Sequence, residues 1–323
     1  SKIDFDFLPT LVFTNSLARQ AIINGNFDVW QRGTSFAATG GIIYTADRWA
    51  TYNNITNQAC TISQQTGIGL NGSVYSLRYA RNSGQTGTNV LSITQSLETI
   101  NSKKFIGNKV TLSFYVRCGA NFSPTSANLT SLIASGTGTD QNLQAGLTGQ
   151  ATIGSVTTSL TTSWQKVTVT TSNVIANTVT QLGIQFYCIP TGTAGADDWF
   201  EIAQVQLCAG DVALPFMPKS KTTEEDDCVH FYRIGQLLGI ANTTSILAIA
   251  NDFATKPLRT AITTSNFKIY TTKANAIAEV AQQALTTPGV GDTNITQSSY
   301  IVNEVNGVIG LQLSGTPLTV GQA

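Results

Sequence analysis

Apolar and polar residues alternate at every second position along much of this 323-residue chain, and no other feature restricts its fold as strongly. The side chains of a β-strand point alternately to the two faces of a sheet, so each alternating stretch predicts a strand with one buried face. Such strands are typical of antiparallel sheets packed face to face. The apolar faces are Val110, Leu112, Phe114, Val116 and Cys118; Leu182, Ile184, Phe186 and Cys188; Leu91, Ile93 and Leu97; and Val167 and Val169. We therefore predict an all-β fold in which residues 22–213 form one antiparallel β-sandwich.

Two stretches depart from simple alternation. In residues 200–207 the apolar phase slips between Ile202 and Val205. One extra residue in a strand causes such a slip, so we predict a β-bulge near Ala203–Gln204. Residues 125–163 contain few large apolar side chains and many Gly, Ser and Thr, which predicts short strands joined by long polar turns.

A domain boundary follows the sandwich. Pro215 and Pro218 stand close together and predict an extended connector. Thr222–Glu225 then has the pattern of a helix capping box, and Gly235 predicts the end of that helix. We place a linker and a short helix at residues 214–235.

A second, smaller β module is predicted after the helix, in residues 236–323. Its residues 274–285 have a spacing that favours a short helix, although residues 271–273 lead into them like a strand. Strands are predicted at 237–241, 245–249, 261–262, 267–270, 300–302 and 308–313. We predict that residues 1–21 form a separate N-terminal arm.

Charge is scarce and balanced. The chain has 18 Lys and Arg and 18 Asp and Glu, or 11% charged residues, against about 25% in an average soluble protein. No basic face for nucleic acid or an anionic membrane is expected. No apolar run approaches the roughly 18 residues that span a bilayer. We expect no nucleic-acid partner and no membrane insertion, and the absence of a signal-peptide pattern after Ser1 predicts synthesis in a cytoplasm.

The cysteines are five in number and include no Cys-x-x-Cys pair. Their spacing matches no zinc pattern. They could form disulfides or be scattered buried thiols, since a free cysteine behaves as a small apolar side chain. The spacing favours buried thiols. The five are Cys60, Cys118, Cys188, Cys208 and Cys228.

Two motifs resemble a family of bacteriophage virion proteins of the tail-fibre or receptor-binding type. The first is INGNFDVWQRGTSF at Ile23–Phe36, followed by YTADRW at Tyr44–Trp49. The second is PFMPKS at Pro215–Ser220, followed by acidic residues, a cysteine and the aromatic pair Phe231–Tyr232. The resemblance extends to about residue 270. It implies a virion surface protein whose partners are other virion proteins.

The first module is also similar to the jelly-roll carbohydrate-binding modules of glycosidases, through its Asn-Gly-x-Phe opening and its Ser-Phe-Tyr-Val strand. This similarity implies a jelly-roll topology for the sandwich. Modules of this type often hold a structural Ca²⁺ through carboxylate and carbonyl oxygens. Asp197, Asp198 and Glu201 are the candidate Ca²⁺ ligands, and no other cofactor is expected. Adjacent aspartates in a glycine-rich turn are, however, more often a solvated turn.

Aromatic residues provide candidates for glycan contact. The four tryptophans, together with Tyr44, could form a platform for sugar rings. An aromatic residue on an alternating strand is more often an anchor of the core or of an interface, and the Asp-Arg-Trp sequence at Trp49 favours an inward-facing ring. The glycan-binding candidates are Trp30, Tyr44, Trp49 and Trp164.

Assembly residues are predicted in two places. Residues 1–20 are too apolar for a disordered tail, and an extended apolar strip can bind the sheet edge or groove of another chain. An arm on a neighbouring subunit or on the virion is favoured over an extra edge strand on its own sandwich. The stripe on the linker helix is expected at a junction between modules or subunits, and the resemblance implies a homotrimer. The assembly candidates are Phe5, Phe7, Leu8, Phe13, Phe231 and Tyr232.

Three functions were compared with these features. Nucleophilic catalysis needs a nucleophile, a base and an orienting group, and the single His230 makes this set improbable, so an enzyme acting on surface polysaccharide is least supported. We predict a non-enzymatic protein on the virion exterior, of tail-fibre-like type, that contacts the host surface or its glycans. The alternative is a structural capsid decoration (cement) or tail-assembly protein, which the lack of a fibrous repeat favours.

Overall fold

The computed structural model describes residues 21–38, 40–53 and 58–232, together with the backbone of four strands between residues 238 and 314. The chain divides into two compact units at the bond between Glu224 and Glu225. The predicted N-terminal arm, apart from residue 21, lies outside the described residues. The predicted strands at 261–262 and 267–270 and the predicted helix at 274–285 also lie outside them.

Two antiparallel six-stranded sheets make up the described part of the first unit. In chain order the strands are β1 Ser35–Ala38, β2 Gly41–Tyr44, β3 Ala50–Asn53, β4 Cys60–Thr66, β5 Tyr75–Arg81, β6 Leu91–Ser96, β7 Val110–Cys118, β8 Asn128–Gly136, β9 Ala151–Ser159, β10 Gln165–Thr170, β11 Gln181–Cys188 and β12 Trp199–Ala209. A short helix, α1 Thr99–Lys103, follows β6. The first sheet has the order β1-β4-β5-β12-β7-β10, and the second β2-β3-β6-β11-β8-β9. The predicted all-β, jelly-roll-like antiparallel sandwich is confirmed.

The core lies between the two sheets and consists of the faces that alternation predicted. Every residue of the four predicted apolar faces is buried. Phe114 of β7 meets Phe186 of β11 edge to face, with the ring centroids 4.7 Å apart, and so joins the first sheet to the second. Each fully buried aliphatic or aromatic side chain contributes about 1.5–3 kcal/mol, so these faces supply the main stabilisation of the fold.

The predicted β-bulge is confirmed on β12. The pairing of β12 with β7 shifts register between Ala203 and Gln206. Gln204 has a φ of 51°, the left-handed conformation that accommodates the extra residue. Ile202 and Val205 are therefore both fully buried although they stand three positions apart.

The prediction of short strands in residues 125–163 is wrong. Strands β8 and β9 are nine residues long and pair with each other. β8 lies between β9 and β11 and is buried on both faces. β8 combines large residues such as Leu132 and Ile133 with small ones such as Ser131 and Ala134. β9 is the edge strand and is largely exposed, which explains why the stretch contains few large apolar residues. The predicted polar connection is present as residues 137–150, between the two strands.

The linker helix, α2 Lys221–Val229, ends earlier than predicted. Its N-terminal cap is Ser220, whose hydroxyl accepts a hydrogen bond from the Thr223 N–H at 3.2 Å. The predicted capping box at Thr222–Glu225 is therefore wrong. Ser220 ends the extended connector, and a cap residue needs this non-helical backbone, whereas Thr222 already lies inside the helix.

The predicted apolar stripe is not continuous on this helix. Cys228 lies in its last turn and is buried. Phe231 and Tyr232 follow the helix and are partly buried, and both of their N–H groups donate to the Cys228 carbonyl. The two aromatic residues thus belong to the turn that ends α2.

The second unit contains a four-stranded antiparallel sheet among its described residues. Its strands are β13 Leu238–Thr243, β14 Ile246–Ala250, β15 Ser299–Val305 and β16 Val308–Ser314, in the order β13-β14-β16-β15. The strands predicted at 237–241, 245–249, 300–302 and 308–313 are therefore confirmed.

Candidate functional site

The Asn-Gly-x-Phe opening of the sandwich holds several loops together. The Asn24 side chain is fully buried; its Nδ2 donates to the carbonyls of Val29 (2.8 Å) and Asp47 (3.0 Å), and its Oδ1 accepts from the Val29 N–H (3.0 Å). Gly25 lies against the bulge of β12, where a Cβ would be 2.1 Å from the Val205 carbonyl oxygen. The Asn24 N–H donates to the Glu224 carboxylate at the start of α2. These contacts give the motif a structural role.

Trp49, predicted as a glycan contact, belongs to the core. Its side chain is 0% exposed, its Nε1 donates to the Asn24 carbonyl at 2.9 Å, and its ring packs between Phe27 and Phe186. It cannot meet a ligand in this structure. Beside it, burial raises the pKa of Asp47, while the Arg32 guanidinium at 3.0 Å opposes that rise.

The other three candidates for glycan contact have different surroundings. Trp30 stacks on Phe36 with the ring centroids 6.3 Å apart. Tyr44 is 43% exposed on β2 and accepts a hydrogen bond from Asn142. Trp164 precedes β10 and lies at the first sheet. The structure therefore does not bring the predicted set into one platform.

A different group of residues converges on the outer face of the first sheet. Arg78, Glu201 and Arg117 are direct register partners on β5, β12 and β7. Because Phe200 and Ile202 point into the core, these three side chains point away from it. Trp164 and Trp199 flank them, and we call the five residues the arginine–tryptophan cluster.

Glu201 is the centre of this cluster. Its carboxylate is 0% exposed, although it lies on the outer face. Arg78 approaches one oxygen, with Nε at 2.7 Å and Nη2 at 2.5 Å from Oε1. Arg117 approaches the other, with Nε at 2.9 Å and Nη2 at 2.8 Å from Oε2. Two guanidinium groups thus compensate one buried carboxylate, and each is held in a fixed orientation.

The tryptophan rings pack against the same guanidinium groups. The Arg78 Cζ lies 4.0 Å from the centroid of Trp199, and the Arg117 Cζ lies 4.6 Å from that of Trp164 and 5.9 Å from that of Trp199. These are cation–π distances, and each contributes about 0.5–2 kcal/mol depending on desolvation. A Cβ on Gly119 would lie 2.6 Å from the Trp199 Nε1, so a glycine is needed where the ring approaches the backbone.

The cluster retains unused hydrogen-bonding capacity. The side chains of Arg78 and Arg117 are 28% and 23% exposed. Glu201 takes the Nε/Nη2 edge of each, and neither Nη1 has a hydrogen-bond partner among the described residues. The partly buried rings of Trp164 and Trp199 border these donors. Aromatic surface and fixed donors therefore occur together here.

The predicted Ca²⁺ ligands do not share one site. Glu201 is held by the two arginines of the cluster. Asp198 is buried and paired with the buried Arg81, whose Nε lies 3.2 Å from its Oδ2. Asp197 is exposed, and its Oδ1 accepts from the Trp199 indole at 3.4 Å. Arginines, rather than a metal ion, thus neutralise two of the three acids. Among the described residues, no three His, Cys, Asp or Glu side chains are placed to hold a metal ion.

The outer face of the second sheet is covered at its centre. Residues 137–150 fold over it, and Leu143 and Leu147 pack with Leu132 of β8 in a second apolar cluster. The Leu143 N–H donates to the Ser96 hydroxyl at 2.7 Å, and Ser92 donates to Gln144 at 2.7 Å. The centre of this face is therefore closed to a ligand.

The cysteines are free and buried, as the spacing suggested. Burial raises the pKa of the Cys60 thiol to about 12 and raises that of Cys188 further. Both thiols are inert at neutral pH for that reason. No helix in the described residues is long and apolar enough to cross a membrane.

Arg78 and Arg117 were not among the site residues predicted from the sequence. The sequence did contain one indication, because Arg117 in β7 and Glu201 in β12 both stand at positions whose side chains should point away from the core. Which strands become neighbours could not be read from that alternation, so the two charges could not be paired.

Comparison with known proteins identifies no family, since no protein-family model and no curated protein matches the sequence. Among solved structures, the enzymatically active domain of bacteriophage CBA120 tailspike protein 4 is similar at 9% identity and a TM-score of 0.36, over 59% of this chain and 21% of that one. The CBM22-1 xylan-binding domain of Paenibacillus barcinonensis Xyn10C is similar at 14% identity and a TM-score of 0.33, over 55% of this chain and 100% of that one. A Stig cyclase from Fischerella sp. TAU matches at 13% identity and a TM-score of 0.38, over 60% and 98%. The chain spans about a fifth of the tailspike domain, and likenesses of this strength assign no function.

Proposed function

We propose that this chain is a non-enzymatic protein of the bacteriophage virion exterior, of tail-fibre-like type, and that its sandwich contacts glycans of the host surface. The observation that carries the glycan contact is the arginine–tryptophan cluster, in which two partly buried indole rings border two arginines whose Nη1 groups have no partner in the described residues.

The chemistry of a sugar ring suits this surface. Its C–H face is apolar and can pack on an indole ring, while its hydroxyl groups need donors and acceptors in fixed positions. Glu201 fixes both guanidinium groups before a ligand arrives, which lowers the entropy lost on binding. The Trp164 indole N–H is already bonded to the Ile68 carbonyl at 2.9 Å, so its ring is fixed as well.

The same contacts favour binding over cleavage. Glycoside hydrolysis uses two carboxyl groups, one of them a proton donor and the other a nucleophile or base. The cluster contains one carboxylate, Glu201, and arginines occupy both of its oxygens. Neither oxygen is therefore free to approach a glycosidic bond, which supports a non-enzymatic role.

Substitution of the tryptophans tests the glycan contact. Trp164→Ala and Trp199→Ala should each weaken binding to a printed array of bacterial surface polysaccharides by tenfold or more. Trp30→Ala is the matched control, because Trp30 is also a partly buried indole whose N–H donates to a backbone carbonyl, that of Phe27 at 2.7 Å. Equal losses in all three variants, or no binding by the unsubstituted protein, would overturn the glycan contact.

The virion assignment rests on the resemblance of residues 23–36, 44–49 and 215–232 to phage virion proteins. Antibody labelling of intact particles, viewed by electron microscopy, tests it directly. Label at the tail tip is expected, and an unlabelled particle would contradict the assignment.

A capsid decoration or tail-assembly role is the second candidate, and one observation favours it. Asn24, Asp47 and Trp49, which carry much of the resemblance, are buried and structural. They identify a fold that a particle-stabilising protein could share with a receptor-binding one. Label on the capsid faces would select this alternative. In either role we propose self-association as a homotrimer and contact with other virion proteins.

A further inference from the structure

We infer that the glycan bound by the arginine–tryptophan cluster is acidic, and that the carboxylate of a sugar acid docks on the outward edges of Arg78 and Arg117. This inference rests on the proposed glycan contact and specifies its ligand.

The first step concerns the shape of a guanidinium group. It carries five N–H donors in a planar fork, with one paired edge formed by Nε and Nη2 and another by Nη1 and Nη2. Glu201 occupies the Nε/Nη2 edge of both arginines. The Nη1/Nη2 edge of each therefore faces away from Glu201, and its geometry matches the two oxygens of a second carboxylate.

The second step concerns charge. The outward-facing positions of the first sheet carry three cations, Arg78, Arg117 and Lys166, and one anion, Glu201. Lys166 is exposed on β10, beside β7. Asp197 is the further acid that touches the cluster, through the Trp199 indole. This surface therefore carries three positive and two negative charges, an excess of one positive charge, although the whole chain has zero net charge.

The third step compares the ligands available to such a surface. A neutral hydroxyl offers a guanidinium edge one uncharged oxygen, whereas a carboxylate offers two oxygens spaced to match its two N–H groups and brings the opposite charge. Charge-assisted hydrogen bonds are about twice as strong as neutral ones. The tryptophan rings beside the arginines replace water on one side of each guanidinium group, which strengthens that attraction. A sugar acid should therefore bind to the arginine–tryptophan cluster more tightly than a neutral sugar.

The test is an array of acidic glycans, each printed beside its carboxyl-reduced, neutral counterpart. The array includes hexuronic acid polymers and glycans that end in nonulosonic acids. We expect binding to an acidic member to fall at least tenfold on carboxyl reduction. Arg117→Lys should lose most of this discrimination, since lysine keeps the charge but has no planar fork.

Two controls separate a specific site from general attraction. Lys166→Ala removes one cation from the same face without touching the cluster, and should change binding less than threefold. Dextran sulfate should bind less tightly than the best carboxylated glycan. Tighter binding of dextran sulfate, or an equal effect of Lys166→Ala and Arg117→Lys, would overturn the inference.

The remaining outcomes distinguish this inference from the proposed function. Equal or tighter binding to the neutral counterparts would overturn the inference and leave glycan contact intact. Binding to no glycan, acidic or neutral, would overturn the proposed contact and the inference with it.

Discussion

At the scale of single residues, Glu201 is the side chain whose replacement should tell most about the cluster. Its buried carboxylate is the counter-charge of two arginines that are themselves about three-quarters buried. Removing one partner of such a set leaves charge uncompensated, at a cost of several kcal/mol when burial is complete. We expect Glu201→Gln to lower the free energy of unfolding by about 2–4 kcal/mol, measured by urea denaturation.

Asp197→Asn is the control for that measurement. Asp197 is exposed and accepts one long hydrogen bond, so its loss should change stability by less than about 0.5 kcal/mol. A Glu201→Gln variant as stable as this control would mean that the arginines do not depend on the carboxylate.

Asn24 combines a left-handed backbone with three side-chain hydrogen bonds. Its φ is 56°, a conformation that asparagine and glycine tolerate better than alanine. We expect Asn24→Ala to lower the free energy of unfolding by about 2–4 kcal/mol, because it leaves buried backbone groups unpaired and adds backbone strain. Asn24→Gly loses the same hydrogen bonds without the strain and should be about 1 kcal/mol more stable than Asn24→Ala in thermal or urea unfolding. Equal stability of the two variants would contradict the expectation that alanine is strained in the left-handed conformation of residue 24.

At the scale of structural elements, residues 137–150 determine which outer face stays open. Leu143 is buried against the second sheet, so Leu143→Ala should lower the free energy of unfolding by about 2–4 kcal/mol. Limited proteolysis should then cut this segment before the sandwich. Ile100→Ala is the control, since Ile100 is 79% exposed on α1 and should change stability by less than about 0.5 kcal/mol. A Leu143→Ala variant that resists protease like the unsubstituted chain would show that the segment is held without its apolar contact.

The elements also show which parts of the fold the sequence could predict. β7, β11 and the bulge of β12 follow from alternation, because each buries one apolar face. The length of β8 was missed because both of its faces are buried, so its sequence has no regular alternation of apolar and polar residues. The cap of α2 was misplaced by two residues, since Ser220 and Thr222 have the same capping chemistry and only the path of the connector separates them.

The arginine–tryptophan cluster lay beyond prediction for a different reason. Glu201 is separated from Arg78 by 123 residues and from Arg117 by 84, and only the strand order places them side by side. The sequence suggested a Ca²⁺ ligand at Glu201 because Asp197 and Asp198 stand four and three positions before it and the jelly-roll similarity implies such a site. In the sheet its neighbours are arginines.

At the scale of the whole molecule, the N-terminal arm remains a prediction. Residues 1–20 are apolar, and we propose that Phe5, Phe7, Leu8 and Phe13 bind a neighbouring subunit or another virion protein. Deletion of residues 2–14 should leave the thermal unfolding of the isolated chain within a few degrees of its original midpoint. The same deletion should convert a homotrimer into a monomer in sedimentation.

Two results would count against the arm. A truncated chain that unfolds in isolation would indicate an edge strand of its own sandwich. A full-length chain that sediments as a monomer at micromolar concentration would contradict the trimer itself.

The position of β12 has a consequence for how the protein is made. This strand, residues 199–209, stands between β5 and β7 at the centre of the first sheet, yet it is the last of the twelve to leave the ribosome. Until then β5 and β7 have no partner on their facing edges, and their apolar sides remain open to other nascent chains. Closure of the first sheet must therefore wait until residue 209 has been made, so its long-range strand pairings form late and slowly. Chains made in many copies at once are therefore most prone to aggregate with one another during that interval.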